Sequence, residues 1–197
     1  MNISIGKTKI SLSFPFAAMV SLLMLTDRSG WWALGLSAAL LHEFGHLFGM
    51  AAFGMAPREI RLMFGGIQIF GLYPALPRQT VWFTLCGPGS NFAAFLVLLL
   101  IGYGFRQTEL FRAAALHLVI GVVNMLPFRG LDGGNLLELA LQRRLSPKAA
   151  EKTFRAVTAA GVVGCVLFAL FVCRTPAGIL SALFFSLYII VSLFLKL

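Results

Sequence analysis

The sequence predicts an all-α polytopic membrane protein. It has six transmembrane helices and a small membrane-associated β-hairpin between the second and third. Three observations predict this. Of 197 residues, 59% are hydrophobic and 12% charged, against about 45–50% and about 25% in ordinary globular chains. Mean hydropathy is +0.89. The apolar residues fall into runs near the roughly 20 residues that a helix needs to cross a hydrocarbon core of about 30 Å. Together these exclude an ordinary cytosolic enzyme, a disordered tail and a disulfide-stapled secreted domain. They favour one membrane domain over residues 1–197.

The expected spans are Ile10–Leu25, Trp31–Phe53, Val81–Tyr103, Ala113–Leu126, Ala156–Cys173 and Pro176–Leu195. The first follows Lys7 and Lys9, as a signal peptide would. It runs into Thr26-Asp27-Arg28 rather than a small-residue cleavage site, so it reads as a retained helix. The fourth is short and carries His117 and Asn124. Between the second and third spans, apolar residues alternate with others around Gly65-Gly66, the pattern of two strands about a tight turn. Such a hairpin beside a bilayer must pack into protein or line a cavity. Residues Asn135–Arg144 read as a basic amphipathic helix, and Ser146-Pro147 as the cap and first turn of another.

Charge orients these spans. Of the 16 Lys and Arg residues, all but Arg28, Arg106, Arg112 and Arg174 fall on one side. The positive-inside rule makes that side cytoplasmic and puts both termini there. The net charge of +9 then reports basic loops rather than nucleic-acid binding. Cys86, Cys165 and Cys173 lie within or at the ends of apolar stretches and form no C-x-x-C pair, so their expected role is buried packing.

Chemistry concentrates in His42-Glu43-Phe44-Gly45-His46, within the second span. Residues i and i+4 share a helix face, so both imidazoles can bind one metal. Glu43 sits beside them, within reach of a water activated by that metal, as in the H-E-x-x-H zinc arrangement. Shuffling this composition yields such a pattern about once in a thousand chains, a small false-positive risk for a motif. Ionisable groups inside a span cost several kcal/mol and are usually functional. The plainer reading is two buried histidines bonded to neighbouring helices.

Catalytic zinc takes three protein ligands and leaves a position open. The third candidate is Asp132, in Leu131-Asp132-Gly133-Gly134. Alone, Asp-Gly is most often a turn, with the glycines allowing the backbone to fold back tightly. The H-E-x-x-H motif favours the ligand reading. Asn124, ahead of Pro127, serves either as interhelical glue or as a hydrogen-bonding group for substrate. Asn91, in Gly87-Pro88-Gly89-Ser90-Asn91, is open in the same way, against a helix kink at Pro88 with close packing at the glycines. His117 reads as a satisfied buried histidine rather than a fourth ligand.

In this order the motifs resemble the site-2 protease family, with the stage IV sporulation protein FB branch nearest. The carriers are intramembrane H-E-x-x-H, a Gly-Gly hairpin, Gly-Pro-x-x-Asn, and Asn…Pro…Leu-Asp-Gly-Gly. The resemblance spans essentially the whole chain. It implies one zinc ion held by His42, His46 and Asp132, with Glu43 as general base. It also implies that Asn124 contacts substrate near the scissile bond and that the hairpin at Gly65 and Gly66 presents substrate as an added strand. Asn91 joins these as a substrate-binding candidate. Branch members usually continue into a CBS module after the sixth helix, whereas this sequence ends at Leu197.

The expected function is intramembrane zinc endopeptidase activity in a bacterial cytoplasmic membrane. The expected partners are the lipid bilayer, a membrane-tethered or transmembrane protein substrate, and a regulatory membrane protein. Two rivals come from other classes: a metal-ion transporter using the same His and Asp cluster, and an inactive membrane adaptor. The transporter needs no general base, and the adaptor has no need of Glu43.

Overall fold

A computed structural model describes residues 2–5, 8–63, 66–70 and 76–172. The described residues are mostly helical, with a small sheet, and divide into two units, 1–122 and 123–197.

The first unit begins with strands β1 (Asn2–Ile5) and β2 (Thr8–Leu12), followed by helices α1 (Phe14–Thr26) and α2 (Trp31–Ala52). Strands β3 (Glu59–Met63) and β4 (Gly66–Phe70) come next, then α3 (Pro77–Phe105) and α4 (Thr108–Asn124), which ends in the second unit. The sheet order is β1-β2-β3-β4. The expected hairpin is present as the antiparallel β3–β4 pair, with Met63 opposite Gly66. Gly65 lies outside the described residues.

The sheet corrects two expectations. The fold is not purely helical, and the hairpin is half of a four-stranded mixed sheet. The start of the expected first span is a strand: Ile10 and Leu12 alternate with Lys9 and Ser11, and β2 pairs in parallel with β3. A parallel pair needs a long crossover, here made by α1 and α2. Window-averaged hydropathy merged this alternating strand with the apolar helix behind it.

Helix α1 starts where Ser13 leaves the sheet. The Phe16 N–H donates to Ser13 Oγ at 3.4 Å, and Pro15 occupies the first turn. Its 13 residues rise only about 20 Å. Asp27 then organises the turn into α2, accepting from Ser29 N–H at 2.9 Å, the Ser29 hydroxyl at 2.6 Å and Trp32 N–H at 2.7 Å. Gly30 closes that turn at φ 75°, a left-handed conformation that favours glycine.

Among the described helices, Pro77–Phe105 is long and apolar enough to cross a membrane by length and composition. The six expected spans are therefore not all reproduced as apolar spanning helices. The sixth, Pro176–Leu195, lies outside the described residues. Large apolar side chains face outward on several helices, among them Phe44, Phe48, Trp82, Leu100 and Phe171.

The second unit holds α5 (Asp132–Gln142) and α6 (Pro147–Val172). The expected amphipathic segment is α5. Helix α6 unites the helix expected after Ser146 with the fifth span. Phe128, 1% exposed, forms the core with Val162, packed by Leu126, Leu131, Cys165 and Val166.

Candidate metal centre

Helix α2 sets His42 and His46 one turn apart on the side that packs against α3. Small residues permit the approach. A side chain at Gly45 would run into the Cys86 carbonyl, and one at Gly49 into Phe83 and Cys86. From the opposite helix, a side chain at Gly87 would run into the His46 imidazole. The Ser90 hydroxyl ties the helices together, lying 2.7 Å from the Gly87 carbonyl and 3.0 Å from that of Leu41.

His42 is buried and His46 half-buried. His46 Nδ1 donates to the Phe83 carbonyl at 2.9 Å. A carbonyl only accepts, so the His46 proton is fixed on Nδ1 and the lone pair lies on Nε2. That Nε2 is 3.1 Å from His42 Nε2. Two nitrogens on one tetrahedral zinc, each about 2.0–2.1 Å from the ion, stand about 3.3 Å apart. The pair fits a shared metal ion. Glu43, the next residue on α2, is half-buried and engaged in an interaction of its own.

Asn91, on α3, is 0% exposed and lies between two histidines. Its Nδ2 is 3.1 Å from His42 Nδ1, and its Oδ1 is 2.8 Å from His117 Nδ1. His117 is thus a buried, hydrogen-bonded histidine, in keeping with its expected role.

Asp132 is the first residue of α5, where the helix dipole favours a carboxylate. Its two following glycines are helical rather than left-handed. The left-handed glycine of this segment is Gly130, at φ 86°. The sequence reading of Gly133 and Gly134 as tight-turn residues is therefore corrected. They serve close approach, because side chains there would run into the Met125 and Phe128 carbonyls. The segment before Asp132 is pinned to α6: Thr158 Oγ1 donates to the Pro127 carbonyl at 3.2 Å, and Arg129 bridges Glu151 at 2.8 Å. Asn124 ends α4 and has a partner of its own. Asp132 offers a carboxylate, a ligand type that zinc takes alongside imidazole.

Sequence reasoning did not find the Phe83 carbonyl that orients His46, because a backbone acceptor leaves no signal in the sequence. Close packing at the glycines around Pro88, one of the two readings of that segment, is present at Gly87, though its neighbour, the His46 imidazole, was not foreseen.

The solved structure of the site-2 protease from Methanocaldococcus jannaschii superposes with a TM-score of 0.62, at 23% identity, covering 93% of this chain and 90% of that one. The chain has the site-2 protease fold. Relatives by sequence carry the name of zinc metalloproteases. Rip3 of Mycobacterium tuberculosis, named as a candidate zinc metalloprotease, is 28% identical over 164 residues, 75% of this chain and 42% of that one. A Synechocystis protein named likewise is 30% identical over 120 residues, 54% of this chain and 32% of that one. A zinc metalloprotease of Methanocaldococcus jannaschii is 25% identical over 139 residues, 66% of this chain and 40% of that one. The chain thus spans less than half the length of these relatives. No family model matches. Within the site-2 protease fold, the histidine pair of α2 faces the Gly-Pro-Gly-Ser-Asn segment of α3.

Proposed function

We propose that the protein is a zinc metalloendopeptidase that cuts peptide bonds of membrane-embedded or membrane-tethered proteins. The observation that carries this is the pair of Nε2 atoms 3.1 Å apart on a helix that also bears Glu43. The names of the relatives support it, as does the fold. His42, His46 and Asp132 would hold the ion. Bound there, zinc supplies a Lewis acid for the scissile carbonyl and brings the pKa of water toward neutrality.

Glu43 then takes the proton of the attacking water on a carboxylate oxygen and returns it to the leaving amide nitrogen. Strand β4, at one edge of the sheet among the described residues, would pair its backbone with an extended substrate. A substrate helix must unwind first, because a helical carbonyl is already bonded. Asn124 is assigned to substrate near the scissile bond. Both termini are assigned to the cytoplasm, with cleavage near that face, in a bacterial cytoplasmic membrane. The names of the relatives do not speak to sporulation, so the reading rests on the family rather than on that branch.

The test is cleavage of membrane-tethered test substrates in proteoliposomes. Glu43→Gln should retain zinc and lose at least about 100-fold in rate, the share that a positioned base typically supplies. A fully active Gln variant would overturn the mechanism. Zinc flux that survives this substitution would favour the transporter.

A further inference from the structure

Asn91 joins His42 to His117, and the three side chains are buried together. As oriented, Asn91 Nδ2 donates to His42 Nδ1, and His117 Nδ1 donates to Asn91 Oδ1. Neutral His42 then carries its proton on Nε2, the atom 3.1 Å from His46 Nε2. His42 Nε2–H then donates to the His46 lone pair and joins the two rings.

A metal at His42 Nε2 needs the opposite tautomer. The proton must sit on Nδ1 and must meet an acceptor. An amide nitrogen cannot accept, but an amide oxygen can. Turning the Asn91 amide by half a rotation exchanges the two atoms without moving their sites. His42 Nδ1 then donates to Oδ1, and Nδ2 donates to His117 Nδ1, whose proton has moved to Nε2. Each histidine exchanges one tautomer for the other, and no net charge or proton is gained.

We propose that Asn91 is a positioning residue for His42, with two amide orientations that His117 can match, one when the two imidazoles are hydrogen-bonded to each other and one when they share a metal. The proposal rests on the metal reading above. A buried hydrophobe of similar size would fill the space but could not hold either tautomer. A carboxylate could hold the metal-bound one, in the manner of carboxylate–histidine–zinc triads.

The test is zinc affinity of the full chain in detergent, measured by chelator competition for wild type, Asn91→Leu and Asn91→Asp. The visible spectrum of the cobalt(II)-loaded protein and helical circular dichroism are recorded alongside. Asn91→Leu should bind zinc about 10–100-fold more weakly, the usual cost of losing such a partner, with an altered cobalt spectrum. Asn91→Asp should bind at least as tightly as wild type. A purely structural role predicts the reverse order, since Leu fills the site and Asp buries a charge. Wild-type affinity in Asn91→Leu, or loss in Asn91→Asp equal to that in Asn91→Leu, overturns the proposal. Should Asn91→Leu fail to fold, a tenfold loss in Asn91→Asp alone overturns it. Zinc-free wild type would instead bring down the metal reading, and this proposal with it.

Discussion

His46 is held by a group that no substitution of its own helix can remove, the Phe83 carbonyl at 2.9 Å. The position of α3 therefore decides whether this imidazole is ready for a metal, and Gly87 decides the position of α3. Gly87→Ala would push a methyl group into the His46 ring. Overpacking of this kind costs about 1–3 kcal/mol, and the displaced ring should weaken zinc binding at least about tenfold, the lower end of what a lost supporting contact costs. Thermal unfolding and chelator competition on the same sample check both effects. Gly134→Ala should destabilise by a similar amount, about 1–3 kcal/mol, because its methyl group meets the Phe128 carbonyl. If that protein melts like wild type, Gly134 is not needed for close packing.

At the scale of elements, local signals were legible and distant partners were not. His42 and His46 could be read from the sequence because helix periodicity alone brings residues i and i+4 to one face. The β3–β4 hairpin was legible for the same reason, since its strands are neighbours in sequence. Strand β2 was not, because its partner β3 lies about 50 residues on and nothing local announces the pairing. Gly133 and Gly134 were legible as necessary but not for the right reason, since the carbonyls they avoid belong to the segment folded behind them.

The second unit carries an acid-sensitive tie between the segment before α5 and helix α6. Hydrogen bonds from Arg155, and then from Arg129, hold the Glu151 carboxyl below the ordinary carboxylate range. Its folded-state pKa is depressed, so its contribution is complete above that range and is lost as pH falls through the range to the folded value. The side chain is 37% exposed, and solvent screening keeps the tie to under about 1 kcal/mol. Glu151→Gln should lower the unfolding midpoint slightly at neutral pH and leave it closer to wild type at pH 4. An equal gap at both pH values would contradict the ion-pair account.

At the scale of the molecule, the orientation that the charge count proposes can be tested on the first unit. Lys9, Arg58 and Arg61, which the charge count put on one side, lie at or beside the sheet: Lys9 N–H donates to the Arg58 carbonyl at 2.8 Å, just ahead of β3, and Arg61 lies opposite Ser11. Arg112, counted on the other side, donates to the Ser29 carbonyl at 3.1 Å and stacks over Trp31 at 4.5 Å. The reading therefore expects a single cysteine placed at position 58 to react with an impermeant label from the cytoplasmic side, and one at position 28 from the other. The same pattern in intact cells and in inverted vesicles would contradict the orientation.

The central claim is one zinc ion on the α2 histidines. Its most direct test is zinc content per chain in purified detergent-solubilised protein, for wild type, Glu43→Gln and the double variant His42→Ala, His46→Ala. The prediction is about one zinc per chain in the first two, matching a single catalytic site, and none in the third. Zinc unchanged in the folded double variant, or absent from folded wild type, would contradict it.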